Sequence, residues 1–189
     1  MRRTVALVIL LLLAGVSCLA DDRATLSYAG SARKRPKTSI VRRTGNAIMP
    51  ESTFSSLREL RDTLGAIGDV RMRAIHDDHH GGFPESRRVF EELKNVSVPC
   101  WIYAIKFEGD DDNDFHVIIS NDSSGHDKVF LTAEVSGLPR SGRNRPPLKA
   151  LRAKFLEICK DIAIPKSSFK KLDDPIKVVV HGSLLFDNH

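Results

Sequence analysis

Gly109-Asp-Asp-Asp-Asn-Asp-Phe-His-Val-Ile-Ile-Ser120 gathers four aspartates and an asparagine into five consecutive positions, then turns abruptly apolar. Asp, Asn and Gly accept turn conformations and satisfy local backbone groups, so the acidic half predicts a turn and the apolar half a strand. A calcium loop is the competing account, with Asp110, Asp112 and Asp114 at its first, third and fifth positions. Such a loop needs glycine at its sixth position and glutamate at its twelfth, where this chain has Phe115 and Asn121. The turn fits better.

Strand periods surround that turn. Val98–Phe107 is rich in β-branched and aromatic residues, and Phe115–Ser120, Lys128–Val135 and Ile176–Phe186 follow the same pattern. Pro146-Pro147 opens a helix with the apolar stripe Leu148, Leu151, Phe155, Ile158 and Ile162. Upstream, Phe54, Leu57, Leu60 and Leu64 recur at helical spacing, with Ser56 and Glu59 in a capping-box pattern and Gly65 and Gly68 at the end. A second short helix is expected over Pro84–Lys94, with Val89, Phe90 and Leu93 inward.

The predicted fold class is mainly β with helices (α+β). Strand, strand, strand, helix, strand, preceded by two helices, matches a small OB-like barrel, the oligonucleotide- and oligosaccharide-binding type. That barrel has a fifth strand, which would begin near Asp187-Asn-His189. The expectation is a barrel that lacks its last strand or closes unusually, with Val70–Ile75 as a substitute.

Pairing the second and third strands about Gly125 sets Ser120 against Phe130, Ile118 against Thr132 and His116 against Glu134. Both polar residues interrupt apolar strands, and opposite partners lie within reach. Burying Glu134 alone would be costly, so a His116–Glu134 hydrogen bond is expected. It would fix register, or serve with Asp114 as a proton-transfer or metal group. His76-Asp-Asp-His79-His80 offers zinc donors, although a solvated loop before Gly81-Gly82 explains the same residues. His181 is a further binding candidate. Its neighbours Gly182-Ser183 suit a barrel corner rather than an activated serine, since no strand–elbow–helix pattern surrounds them.

The basic residues Arg143, Arg145, Lys149, Arg152, Lys154 and Lys160 could track phosphates, but Glu157 and Asp161 interrupt them. Trp101 and Tyr103 read as core, leaving few aromatics for base stacking. Residues 21–43 carry seven Lys and Arg against Asp21 and Asp22, whereas residues 44–189 carry 20 basic against 22 acidic groups. A near-neutral globular part argues against a nucleic-acid surface.

Residues 1–20 read as a signal peptide: Arg2 and Arg3, an apolar run Val5–Val16, then small residues around Cys18-Leu19-Ala20. A lipidated Cys18 is the alternative. Residues 21–50 read as a basic disordered arm, 51–97 as a helical lead-in and 98–189 as the barrel domain. Membrane contact is expected only through the arm or a lipidated Cys18. In an oxidising compartment the remaining Cys100 and Cys159 predict one disulfide.

Three runs carry a resemblance: Asp114-Phe-His116-Val-Ile-Ile-Ser, Thr132-Ala-Glu134-Val-Ser-Gly-Leu-Pro139 and Val180-His-Gly-Ser-Leu-Leu-Phe-Asp187. Residues 98–189 resemble a group of small, exported, uncharacterised bacterial proteins with an Asp-x-His strand, an Ala-Glu strand and a Gly-x-x-Phe-Phe-Asp-type strand. Members of that group continue into a strand with a Glu-x-His-Pro element. The resemblance implies fold and export, and no activity. The expected function is an exported OB-like binding module for an unknown ligand or protein, without a cofactor. The alternative is a metal-assisted hydrolase or phosphodiesterase using Asp114, His116 and Glu134.

Overall fold

The computed structural model describes residues 5–10, 22–29, 37, 43–44, 47–48, 50–65, 90–109 and 112–186. In chain order the strands are β1 (Val5–Leu10), β2 (Arg43–Thr44), β3 (Ala47–Ile48), β4 (Ser52–Thr53), β5 (Asn95–Glu108), β6 (Asp114–Ser120), β7 (Phe130–Val135) and β8 (Lys170–Phe186). The helices are α1 (Leu57–Gly65) and α2 (Arg145–Ile158). The chain is therefore α+β, with strands dominating.

Alternation along the strands sorts side chains onto two faces. Phe115, Val117 and Ile119 of β6 point into the core, with Ile102 and Ile105 of β5 and Val180 of β8. Leu148, Leu151 and Phe155 of α2 cover that core, and each fully buried apolar side chain contributes roughly 1.5–3 kcal/mol. The opposite face of β6 holds Asp114, His116 and Ile118.

The main sheet runs β4-β5-β6-β7-β1-β8, and β5 also pairs with β8. The β6–β7 register is the expected one: Ser120 opposite Phe130, Ile118 opposite Thr132, His116 opposite Glu134. Their loop is built on Asp122, whose carboxylate accepts the N–H groups of Ser124 (2.8 Å) and Asp127 (3.1 Å). Gly125 there takes φ 72°, a left-handed conformation that glycine tolerates. β8 begins earlier than the sequence predicts. Its register against β5 jumps from Ile102↔Ile176 to Ala104↔Lys171, and the resulting bulge holds Pro175, which has no N–H to donate.

β1 runs parallel to β7 and antiparallel to β8. The apolar segment read as an export leader thus covers the β8 edge that lacked a neighbour in the sequence reading. Val70–Ile75, the expected substitute, lies outside the described residues.

Helix α1 buries Leu57 and Leu60. Its cap differs slightly from the expected box: Ser56 Oγ accepts the Glu59 N–H (3.2 Å), while Glu59 Oε2 accepts the Ser55 N–H (2.8 Å). Arg58 ties the helix to the β6–β7 loop, its N–H donating to Asn121 Oδ1 (3.1 Å) and its guanidinium pairing with Asp127 (3.4 Å).

Three expectations are corrected. Of the second helix, the described part is a 3-10 turn, Phe90–Leu93, which turns Glu92 inward and leaves Leu93, expected inward, exposed. The disulfide is not formed: Cys100 on β5 and Cys159 at the end of α2 are free thiols, each packed into the core as a small apolar side chain. The segment read as a disordered arm contributes packed residues, since Ala24, Tyr28 and Lys37 are buried. Tyr28 N–H donates to Leu138 O (2.8 Å) and Leu138 N–H to Leu26 O (3.0 Å), which lays this segment beside the residues after β7. Arg152, one of the basic residues that the sequence reading set aside as a phosphate track, belongs to the interior. It is fully buried, donates to the carbonyls of Val135 (3.1 Å) and Ser136 (2.9 Å), and lies over the Phe115 ring.

Candidate functional site

The outer face of β5–β8 carries two groups of polar and aromatic side chains. The first is an acidic cluster at the β5–β6 turn. β6 places Asp114 and His116 on one face by the two-residue period, and β7 adds Glu134 beside His116. Asn113, at φ 53°, makes the tight approach to β6, and its Nδ2 donates to Ser27 O (2.7 Å). Gly137 lets the segment holding Tyr28 pass close by, because a Cβ there would meet the backbone oxygen of Asp112 and, at 2.8 Å, Tyr28 Cα.

The expected His116–Glu134 hydrogen bond is replaced by a different pairing. Lys37 Nζ stands 3.2 Å from Glu134 Oε2, 3.0 Å from Asp112 Oδ2 and 4.0 Å from Asp114 Oδ2. A buried carboxylate needs a compensating charge, and the lysine supplies a stronger one than an imidazole. His116 turns instead along its own strand pair. Its Nε2 lies 3.1 Å from Asp114 Oδ1 and 3.1 Å from Glu108 Oε2.

The electrostatics follow from these neighbours. Burial disfavours charging His116, but the Asp114 carboxylate against it and the nearby Glu134 together raise its pKa. The Lys106 ammonium, bonded at 2.9 Å, holds Glu108 below the usual carboxylate range. Burial pushes Tyr28 far above the ordinary phenol value.

The second group is aromatic and basic. Trp101 and Tyr103 were expected in the core; they stand half-buried on the outer face of β5, since Cys100 and Ile102, which alternate with them, take the inward positions. Lys177 of β8 lies over Trp101 (5.7 Å to the ring centre) and Lys171 over Tyr103 (4.8 Å). Phe130 of β7 meets Tyr103 at 5.1 Å, and Lys106 lies over Phe169 at 5.4 Å. Phe130, Phe169 and Val179 are all exposed.

Of the residues singled out in the sequence, Asp114, His116 and Glu134 come together on one face. His181 sits apart on β8, opposite Ser97, with its pKa lowered by burial. His76, His79 and His80 lie outside the described residues. Lys37, Glu108, Lys171 and Lys177 were not foreseen as site residues. Lys37 is distant in sequence from its partners; the alternation of Trp101 and Tyr103 was visible, but their face was assigned inward. Among the described residues no helix is long and apolar enough to cross a membrane. Comparison with protein-family models, curated proteins and solved structures gives no match.

Proposed function

We propose that the chain is an exported OB-like binding module whose outer β5–β8 face takes an acidic oligosaccharide. The observation that carries this reading is the pairing of Trp101 with Lys177 and Tyr103 with Lys171 across adjacent strands. Aromatic rings offer flat apolar contact to sugar faces, and ammonium groups set at the rings select carboxylate or sulfate substituents. The near-neutral globular part and the small number of rings fit a carbohydrate better than a nucleic acid.

Support for the barrel comes from β5, which pairs with both β6 and β8 within residues 95–186. Support for export is the leader pattern of residues 1–20. The hydrolase alternative loses one of its three groups, because Lys37 holds Glu134.

Calorimetric titration with a uronate hexasaccharide, a neutral hexasaccharide and an oligothymidylate tests the reading. Only the acidic sugar is expected to bind, with affinity lost in Trp101→Ala and reduced in Lys177→Ala. Failure of the acidic sugar to bind, or equal affinity for the oligothymidylate, would overturn it.

A further inference from the structure

We propose that Glu108, Asp114 and His116 form a site for one first-row divalent cation such as Zn²⁺ or Mn²⁺. This site lies beside the aromatic group on the same outer face and does not depend on the oligosaccharide reading.

Three observations converge. First, one oxygen each from Glu108 and Asp114 and one nitrogen of His116 lie within 4.8 Å of one another. His116 Nε2 is 3.1 Å from each carboxylate oxygen. Two ligands held about 2.1 Å from a metal at right angles lie about 3.0 Å apart, so the spacing suits shared coordination. A single imidazole nitrogen offers one hydrogen or one lone pair, and cannot donate to both carboxylates at once. Glu108 Oε2 already accepts from Lys106 Nζ (2.9 Å), so Asp114 is the carboxylate that a cation among the three atoms would serve.

Second, Asp114 is fully buried, and neither of its carboxylate oxygens accepts a well-aligned hydrogen bond from the described residues. Its near neighbours are the His116 nitrogen at 3.1 Å and the Lys37 ammonium at 4.0 Å. A buried carboxylate so thinly served is costly unless a further charge reaches it.

Third, the donor set and its access suit a metal. Two carboxylates and an imidazole suit Zn²⁺ or Mn²⁺. The Glu108 side chain is 43% exposed, which gives the ion a route in and leaves room for water as a further ligand.

Equilibrium dialysis of the full chain, without an affinity tag, against Zn²⁺ and separately Mn²⁺ decides the matter. The expected result is one tightly held ion per chain, with affinity reduced at least tenfold in His116→Ala. Because His116 contacts buried Asp114, that variant could misfold. Glu108→Gln, at a partly exposed strand end, is the second variant, and the same loss is expected from a chain whose melting temperature is unchanged. Retention of neither metal overturns the proposal. So does an ion that persists in both variants; His76, His79 and His80 would then be the donors to examine.

Discussion

Lys37 Nζ lies 3.2 Å from Glu134 Oε2, and both side chains are almost entirely buried. This ion pair joins a segment near the N-terminus to the C-terminal end of β7, and Asp112 and Asp114 share the same ammonium. Removing one member of a buried charge pair leaves the other uncompensated. Lys37→Met is therefore predicted to destabilise the chain by about 3–5 kcal/mol, measured by urea unfolding. Glu134→Ala should cost roughly 1–3 kcal/mol, less because Lys37 keeps two carboxylates. A loss below 1 kcal/mol for Lys37→Met would show that the lysine is not the cluster's counter-charge.

Burial pushes both Cys100 and Cys159 up to about 12, so neither is a thiolate near neutrality. Iodoacetamide at mildly alkaline pH is predicted to leave both unmodified in the folded chain and to label both once denaturant is added. Peptide mass spectrometry without reductant reads the outcome. A Cys100–Cys159 linked peptide would contradict the free, separately packed thiols.

Tyr28 gives a dependence on alkaline pH. Burial raises its folded-state pKa well above the ordinary value of 10.0. The protonated form is thus favoured by folding, and the stabilisation is fully present below the unfolded pKa near 10.0 and lost as pH rises past it. Tyr28 should therefore stay protonated as the folded protein is titrated through pH 10.0, and Tyr28→Phe should leave that part of the native ultraviolet titration unchanged. Tyr28→Phe should flatten the fall in stability above that pH. A native titration in which Tyr28 ionises near the ordinary value would refute this.

The β7 and β8 edges meet across β1. A chain beginning at Asp21 is predicted to melt at lower temperature than the full chain. Backbone amides of β7 and of Gly182–Phe186 should also exchange faster with solvent. Equal melting temperatures and equal exchange would mean that β1 adds nothing to the sheet.

Much of this architecture was legible because it rests on local periods. The strands β5, β6 and β7, helix α2 and the His116–Glu134 register follow from alternation and turn chemistry, which depend on near neighbours in sequence. The site was only half legible. His116, Asp114 and Glu134 stood out as polar residues in apolar strands, but their true partners did not. Lys37 and Glu134 are 97 residues apart, and no local pattern announces such a contact. Trp101 and Tyr103 were placed inward because large aromatics usually are. The two-residue period fixes only that they share a face, and the more numerous apolar residues of the other face took the core. The leader-like segment shows the same limit. An apolar run of that composition suits a signal and a buried strand equally, and its pairing in β1 is a property of the sheet.

Trp101 is the chain's one tryptophan, and it stands on the proposed binding face with the Lys177 ammonium 5.7 Å from its ring centre. Its fluorescence therefore reports directly on whether a ligand arrives there. Titration with the uronate hexasaccharide is predicted to produce a saturable change in emission, weakened in Lys177→Ala and absent with the neutral sugar. Binding detected by calorimetry while Trp101 emission stays constant would place the ligand elsewhere and contradict the account.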